Sequence, residues 1–363
     1  MSIRPRRSLG NPELRRPSAL TSVPRDPSFI WLDKNENLDP ELLAWSREVL
    51  LAIPPEALAT YPEAGEVYRR LAKWIGVTPE SLLLTPGSDG AIRLTFEAFV
   101  EHGDPVVHTS PTFAMYPVYS QMFGADVRTV EYQPSEAGPR LDTDELFRLV
   151  REHRPKLVCL PNPDSPTGTT LSPETLRQLL SVCEATDAVL LLDEAYHPFH
   201  PWSAAVWTQE SPNLIVARTF AKAWGAAGLR VGYAVAHPNT IALLHKMRPM
   251  YEVSTIGVEY VSLLLERVAP MEQGVARLIA SKTGFIDEMT SFGFRTLPTA
   301  GNFVHVAFGE HSAAVHKALS QKVLYRAKFD QPCLAGYSRF SIGPAATMAQ
   351  VTSIIRGAVE GRS

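Results

Sequence analysis

Three residue types, spaced as they are in this chain, describe one kind of chemistry. An apolar run from Ala188 to Leu192 ends in Asp193-Glu194-Ala195-Tyr196. Lys222 follows in Ala217-Arg218-Thr219-Phe220-Ala221-Lys222-Ala223-Trp224-Gly225, and eight residues later comes Arg230 in Gly228-Leu229-Arg230-Val231-Gly232-Tyr233. A lysine offers an amine to an aldehyde, a carboxylate at a strand end keeps a ring nitrogen protonated, and an arginine pairs with a phosphate. Together these are the needs of pyridoxal 5′-phosphate (PLP). No one of the three residues alone would carry that reading.

These segments resemble fold-type I PLP enzymes, and most closely the histidinol-phosphate aminotransferase branch of the class I and II aminotransferases. The resemblance extends from Leu32-Asp33-Lys34-Asn35-Glu36-Asn37 to Arg339-Phe340-Ser341-Ile342-Gly343 and leaves only about the first thirty residues outside. It implies an α/β fold, with a large domain built on a mainly parallel seven-stranded sheet and a smaller α/β C-terminal domain.

The resemblance also implies roles, residue by residue. Lys222 would be the covalent anchor of the cofactor and, once displaced by substrate, the general acid–base. Asp193 would pair with the protonated pyridine nitrogen, Tyr196 would donate to the ring's 3′ oxygen, and Phe113 in Ser110-Pro111-Thr112-Phe113 would stack on the ring. Gly87-Ser88-Asp89-Gly90, between a predicted strand and helix, could aim backbone N–H groups at an anion. Read alone it is a plain strand–helix turn; Thr219 and Arg230 would complete it as a phosphate site. Tyr61, in Tyr61-Pro62-Glu63, would reach the phosphate of a neighbouring subunit's cofactor, which makes the expected assembly a homodimer with shared sites.

One position departs from the family. Where Asn-Asn-Pro-Thr-Gly is usual, this chain reads Asp164-Ser165-Pro166-Thr167-Gly168, so Ser165 replaces an amide that would serve the 3′ oxygen. A weaker donor there would raise the cofactor's titration midpoint. For the substrate, Arg339 matches the family's α-carboxylate clamp, and its planar fork suits a carboxylate. Arg326, in Tyr325-Arg326-Ala327-Lys328, matches the arginine that binds the substrate's own phosphate. Asn302, in Gly301-Asn302-Phe303-Val304, would line the same pocket. The expected reaction is exchange of an amino group between an amino acid or a phosphorylated amino alcohol and a 2-oxo acid. A lyase on the same scaffold, either a phospho-amino-acid decarboxylase or a cyclising dehydratase, shares nearly every cofactor residue. A non-catalytic PLP-binding regulator is a further alternative, against which the intact lysine argues.

Such groups need elements to hold them. Short apolar runs predict strands near Leu82–Leu84, Val106–His108, Asp126–Glu131, Leu157–Leu160, Val189–Leu192, Leu214–Ala217 and Val231–Ala236. Helical spacing of Ile92, Phe96 and Phe99 fills one gap, and Ser172 followed by Pro173 predicts a helix start that runs to about Ala185. Alternating strands and helices predict a parallel sheet covered on both faces, with the ligand beyond the carboxyl ends of the strands. The expected division is an arm over 1–30, a large domain over 61–275, and a small domain made of 31–60 with 276–363.

The chain has 363 residues, 45% hydrophobic and 20% charged, with a formal net charge of −3, which gives no hint of a nucleic-acid partner. The first residues carry Arg4, Arg6, Arg7, Arg15, Arg16 and Arg25 among prolines at 5, 12, 17, 24 and 27, and read as an extended arm. They lack the apolar stretch of a signal peptide, and no run is long enough to span a bilayer. Cys159, Cys183 and Cys333 are odd in number and widely spaced, which favours a reducing cytoplasm over a disulfide framework. His197 and His200, broken by prolines and lacking further ligands, give no metal site.

Overall fold

A computed structural model describes residues 6–12, 14 and 24–361. The chain enters through β1 (Ile30–Trp31), α1 (Pro40–Leu51) and α2 (Gly65–Ile75). Strands and helices then alternate: β2 (Leu82–Thr85), α3 (Gly87–Phe99), β3 (Pro105–Ser110), α4 (Met115–Phe123), β4 (Asp126–Glu131), α5 (Thr143–His153), β5 (Leu157–Pro161), α6 (Pro173–Ala185) and β6 (Val189–Asp193). After β7 (Leu214–Thr219), β8 (Gly232–Ala236), α7 (Pro238–His245) and α8 (Thr255–Glu266), the 23-residue α9 (Ala269–Ser291) leads out of this region. The remainder holds β9 (Arg295–Leu297), β10 (Phe303–Ala307), α10 (Ser312–Leu319), β11 (Val323–Leu324), β12 (Ser338–Ser341) and α11 (Ala345–Val359).

Seven strands form one sheet in the order β2-β8-β7-β6-β5-β3-β4. All its pairings are parallel except those of β8, which runs against both β7 and β2. The cause lies in the side chains. In β6, Leu190 and Leu192 face one buried layer while Val189 and Leu191 face the other, and β7 divides Leu214 and Val216 from Ile215 and Ala217 in the same way. A strand apolar on both sides is stable only between two helical layers. Here α3, α4 and α7 cover one face, and α2, α5, α6 and α8 contribute to the cover of the other.

A second, antiparallel sheet runs in the order β12-β10-β9, and β1 pairs in parallel with β11. A helix end marks how local chemistry sets boundaries. Ser172 caps α6 by accepting from the Thr175 N–H, and Pro173 occupies the first helical position, where a missing N–H is harmless. Of the amino-terminal arm, Ser8 donates to the Met122 carbonyl at 2.7 Å, and Arg25 binds Glu36 at 2.6 Å and Asp33 at 3.0 Å. Arg4, Arg15, Arg16, Pro5 and Pro17 lie outside the described residues. Cys159, Cys183 and Cys333 are buried and unpaired. Burial pushes the Cys183 thiol up to about 12 and the Cys333 thiol up to about 11.

Candidate active site

The sheet's direction gathers the predicted residues at one edge. Because β8 alone runs backwards, the carboxyl ends of the other six strands meet the amino end of β8 on the same side. Ser88 and Asp89 follow β2, Phe113 follows β3, Ser165 follows β5, Asp193 closes β6 and Thr219 closes β7. Lys222 sits on the turn after β7, and Arg230 comes just before β8. From the carboxyl-terminal part of the chain, Arg339 on β12 and Arg326 complete the wall. All these residues line one cleft of about 1020 Å³, together with Lys34, Asn35 and Glu36.

Three predicted residues lie elsewhere. Gly87 backs the cleft behind Arg230. Asn302 is buried and donates to the Asn35 carbonyl at 3.0 Å, so it braces the wall without lining it. Tyr61 is 74% exposed and stacks on Tyr251, with ring centroids 4.5 Å apart.

One end of the cleft is shaped for an anion. No side chain caps α3, which leaves its first N–H groups for a ligand beside the positive helix terminus. Gly87, at φ +76°, leaves space for Arg230, since a Cβ there would stand 2.8 Å from the guanidinium. Gly232 admits the helix start itself. A Cβ on it would lie 2.3 Å from the Gly87 carbonyl carbon and 2.4 Å from the Ser88 nitrogen. Arg230 holds φ +55°, an unusual backbone for a non-glycine residue. The Thr219 hydroxyl accepts from the Ala221 N–H at 3.1 Å and keeps its own proton to give.

The centre pairs a buried acid with a hemmed-in amine. Asp193 is buried, accepts from the Ala195 N–H at 3.0 Å and from the Tyr116 hydroxyl at 3.3 Å, and still has its carboxyl pushed up to about 7, mainly by burial. Burial, followed by the Arg339 charge, pushes the Lys222 amine down to about 8; it donates to the Lys34 carbonyl at 2.7 Å. The Tyr196 ring lies 6.0 Å from that nitrogen. Its hydroxyl accepts from the Asn35 amide at 2.7 Å and has the Ser165 hydroxyl as a second hydrogen-bonding neighbour. A buried carboxylate with no ion pair among the described residues, an amine of lowered pKa and an anion cradle fit a phosphorylated pyridine aldehyde.

The other end is doubly cationic. Arg326 and Arg339 face each other across an antiparallel bridge, with backbone hydrogen bonds of 3.0 and 2.8 Å. Arg339 lies over Phe303 and Arg326 over Phe329. Neither forms an ion pair among the described residues. Burial and the Arg326 charge both lower the Arg339 pKa. An anion reaching this wall therefore meets two unneutralised guanidinium groups.

Sequence reasoning left three contributors unassigned. Asn35 lies in the quoted Leu32–Asn37 motif, but its partner Tyr196 is 161 residues away. Tyr116, fully buried, supports Asp193. Arg218 and Glu194 form a buried ion pair at 2.8 Å that also engages Ser203, fixing the loop that carries Tyr196. The only signal for Tyr116, Glu194 and Arg218 was their closeness in sequence to Phe113, Asp193 and Thr219.

A mainly parallel sheet with such a site defines an enzyme built around a phosphorylated aldehyde cofactor. The family model for aminotransferase class I and II matches residues 27–357; the chain belongs to that family and is an aminotransferase. It is 33% identical over 322 residues to the histidinol-phosphate aminotransferase of Pectobacterium carotovorum, covering 86% of each chain. The crystal structure of a putative histidinol-phosphate aminotransferase from Erwinia carotovora atroseptica superposes with a TM-score of 0.81 at 25% identity, covering 92% of this chain and 96% of that one. The fold is also that of the Sinorhizobium meliloti histidinol-phosphate aminotransferase, whose structure holds pyridoxal 5′-phosphate. That match has a TM-score of 0.78 at 24% identity and covers 92% of each chain.

Proposed function

We propose that the enzyme moves an amino group between a phosphorylated amino donor of the histidinol phosphate kind and a 2-oxo acid. Its cofactor is pyridoxal 5′-phosphate, which when bound supplies an aldehyde for covalent capture of amines and a cationic ring that accepts electrons from the donor's Cα. Lys222 would hold it and, once released, would move a proton at the donor's Cα; burial and the Arg339 charge lower the pKa of its amine in the cofactor-free protein, which favours a group that both takes and gives a proton. Asp193 keeps the ring nitrogen protonated, and Tyr196 and Ser165 serve the 3′ oxygen. The α3 terminus with Ser88, Asp89, Thr219 and Arg230 holds the phosphate, and Phe113 stacks on the ring.

The observation that carries the substrate reading is the Arg326–Arg339 pair. Two unneutralised guanidinium groups side by side suit a substrate bearing a phosphate in one half-reaction and a dicarboxylate in the other. The assembly proposed is a cytoplasmic homodimer in which Tyr61 reaches the partner's cofactor phosphate. The outward Tyr61, with Leu58 and Met250 likewise about three-quarters exposed, supports that reading.

The test is product analysis of the holoenzyme with histidinol phosphate and 2-oxoglutarate. Glutamate formation is expected, with kcat/KM falling at least ~100-fold for unphosphorylated histidinol or for Arg326→Leu. Release of carbon dioxide or ammonia would assign the lyase chemistry instead. Equal rates for histidinol and its phosphate would remove Arg326 from the substrate site.

A further inference from the structure

Asn35 is buried, holds a left-handed backbone at φ +55°, and takes part in four hydrogen bonds, two of them through its side-chain amide. Its own N–H donates to the Ser341 hydroxyl at 2.7 Å, and that hydroxyl donates its one proton back to the Asn35 side-chain carbonyl at 2.9 Å. With the carbonyl end so engaged, the NH₂ end must face Tyr196, and it donates to the phenolic oxygen at 2.7 Å. Asn302 holds the Asn35 main-chain carbonyl at 3.0 Å.

A phenol whose oxygen already accepts a strong hydrogen bond points its own proton elsewhere and is a better donor, because hydrogen bonds in series polarise one another. We infer that Asn35 is a positioning residue that aims and strengthens the Tyr196 hydroxyl as a donor to the cofactor's 3′ oxygen. It is anchored for that task by Ser341, two residues along β12 from Arg339. The strand that presents the candidate carboxylate clamp therefore also orients the group that tunes the ring. This inference rests on the proposed role of Tyr196 and adds a residue that acts through it.

Weaker donation to the 3′ oxygen leaves its negative charge less stabilised, so the proton shared with the bound cofactor is held more tightly and the pH midpoint of the visible absorbance rises. Asn35→Gly deletes the amide without straining a left-handed position. Titrating holoenzyme absorbance, we expect Tyr196→Phe to raise the midpoint by about one to two units and Asn35→Gly to raise it by roughly half to one unit. Adding Asn35→Gly to Tyr196→Phe should move it by less than ~0.2 unit, since the intermediary is gone. Ser341→Ala, which frees the amide to rotate, should give a smaller rise in the same direction; it carries the test if Asn35→Gly does not fold. An unchanged midpoint in both Asn35→Gly and Ser341→Ala overturns the inference, as does an equal shift with and without the Tyr196 hydroxyl. An unchanged midpoint in Tyr196→Phe alone overturns the role proposed for Tyr196 itself.

Discussion

At the scale of single residues, the site works by placing ionisable groups where water is scarce. Asp193 has a folded pKa near 7, well above its ordinary value, chiefly through burial. Without cofactor, that raised pKa contributes stability fully present below about pH 4 and lost as pH rises through about 7. Cofactor-free Asp193→Asn should therefore unfold at higher denaturant than cofactor-free wild type at pH 8, by roughly 1–3 kcal/mol, and show little difference near pH 4. Denaturant melts at the two pH values check this. In the holoenzyme the same substitution should cut turnover at least ~100-fold, because the ring loses its counter-ion. Lys222 shifts the other way. Labelling of the cofactor-free protein with an amine-directed reagent should climb about tenfold per pH unit and level off at Lys222 near pH 8, whereas ordinary surface lysines keep climbing towards 10.4. Peptide mapping of the label across pH 6 to 11 reads the midpoint.

At the scale of elements, the contact between β8 and the first turn of α3 is the tightest constraint on the anion cradle. A Cβ on Gly232 would meet main-chain atoms at 2.3, 2.4 and 2.6 Å, none of which can rotate away. Gly232→Ala should destabilise the fold by at least ~2 kcal/mol and weaken cofactor affinity, while Gly228→Ala, with open space around it, should change neither. Denaturation curves and cofactor titrations on the pair make the comparison. Strands such as β6 and β7 were legible in the sequence because burial on both faces leaves unbroken apolar runs. The start of α6 was legible because a cap and a proline act within one turn. The joining of Lys222 with Asp193 and Arg230 followed from their matching a recurrent pattern. Asn35, Tyr116 and the Arg218–Glu194 pair were not legible, because each partner is chosen by how loops from separate strands close over one another. Spacing along the chain carries no record of that.

At the scale of the whole molecule, the cleft has walls from the ends of the seven-stranded sheet and from β12, and the proposed assembly adds a third contributor from a second chain. Mixing is the direct check. Lys222→Ala and Tyr61→Ala proteins, each impaired alone, should regain up to roughly a quarter of wild-type activity after joint unfolding and refolding, since half the dimers would then hold one intact site. No recovery would place Tyr61 outside the partner's site. The three buried thiols have a practical consequence for watching such subunits meet. A chain whose natural sulfhydryls are all withdrawn from solvent is already a silent background for maleimide dyes and spin labels. A single reporter cysteine planted at Leu58, which is 78% exposed, would be the one to take the probe, with no native cysteine having to be removed first.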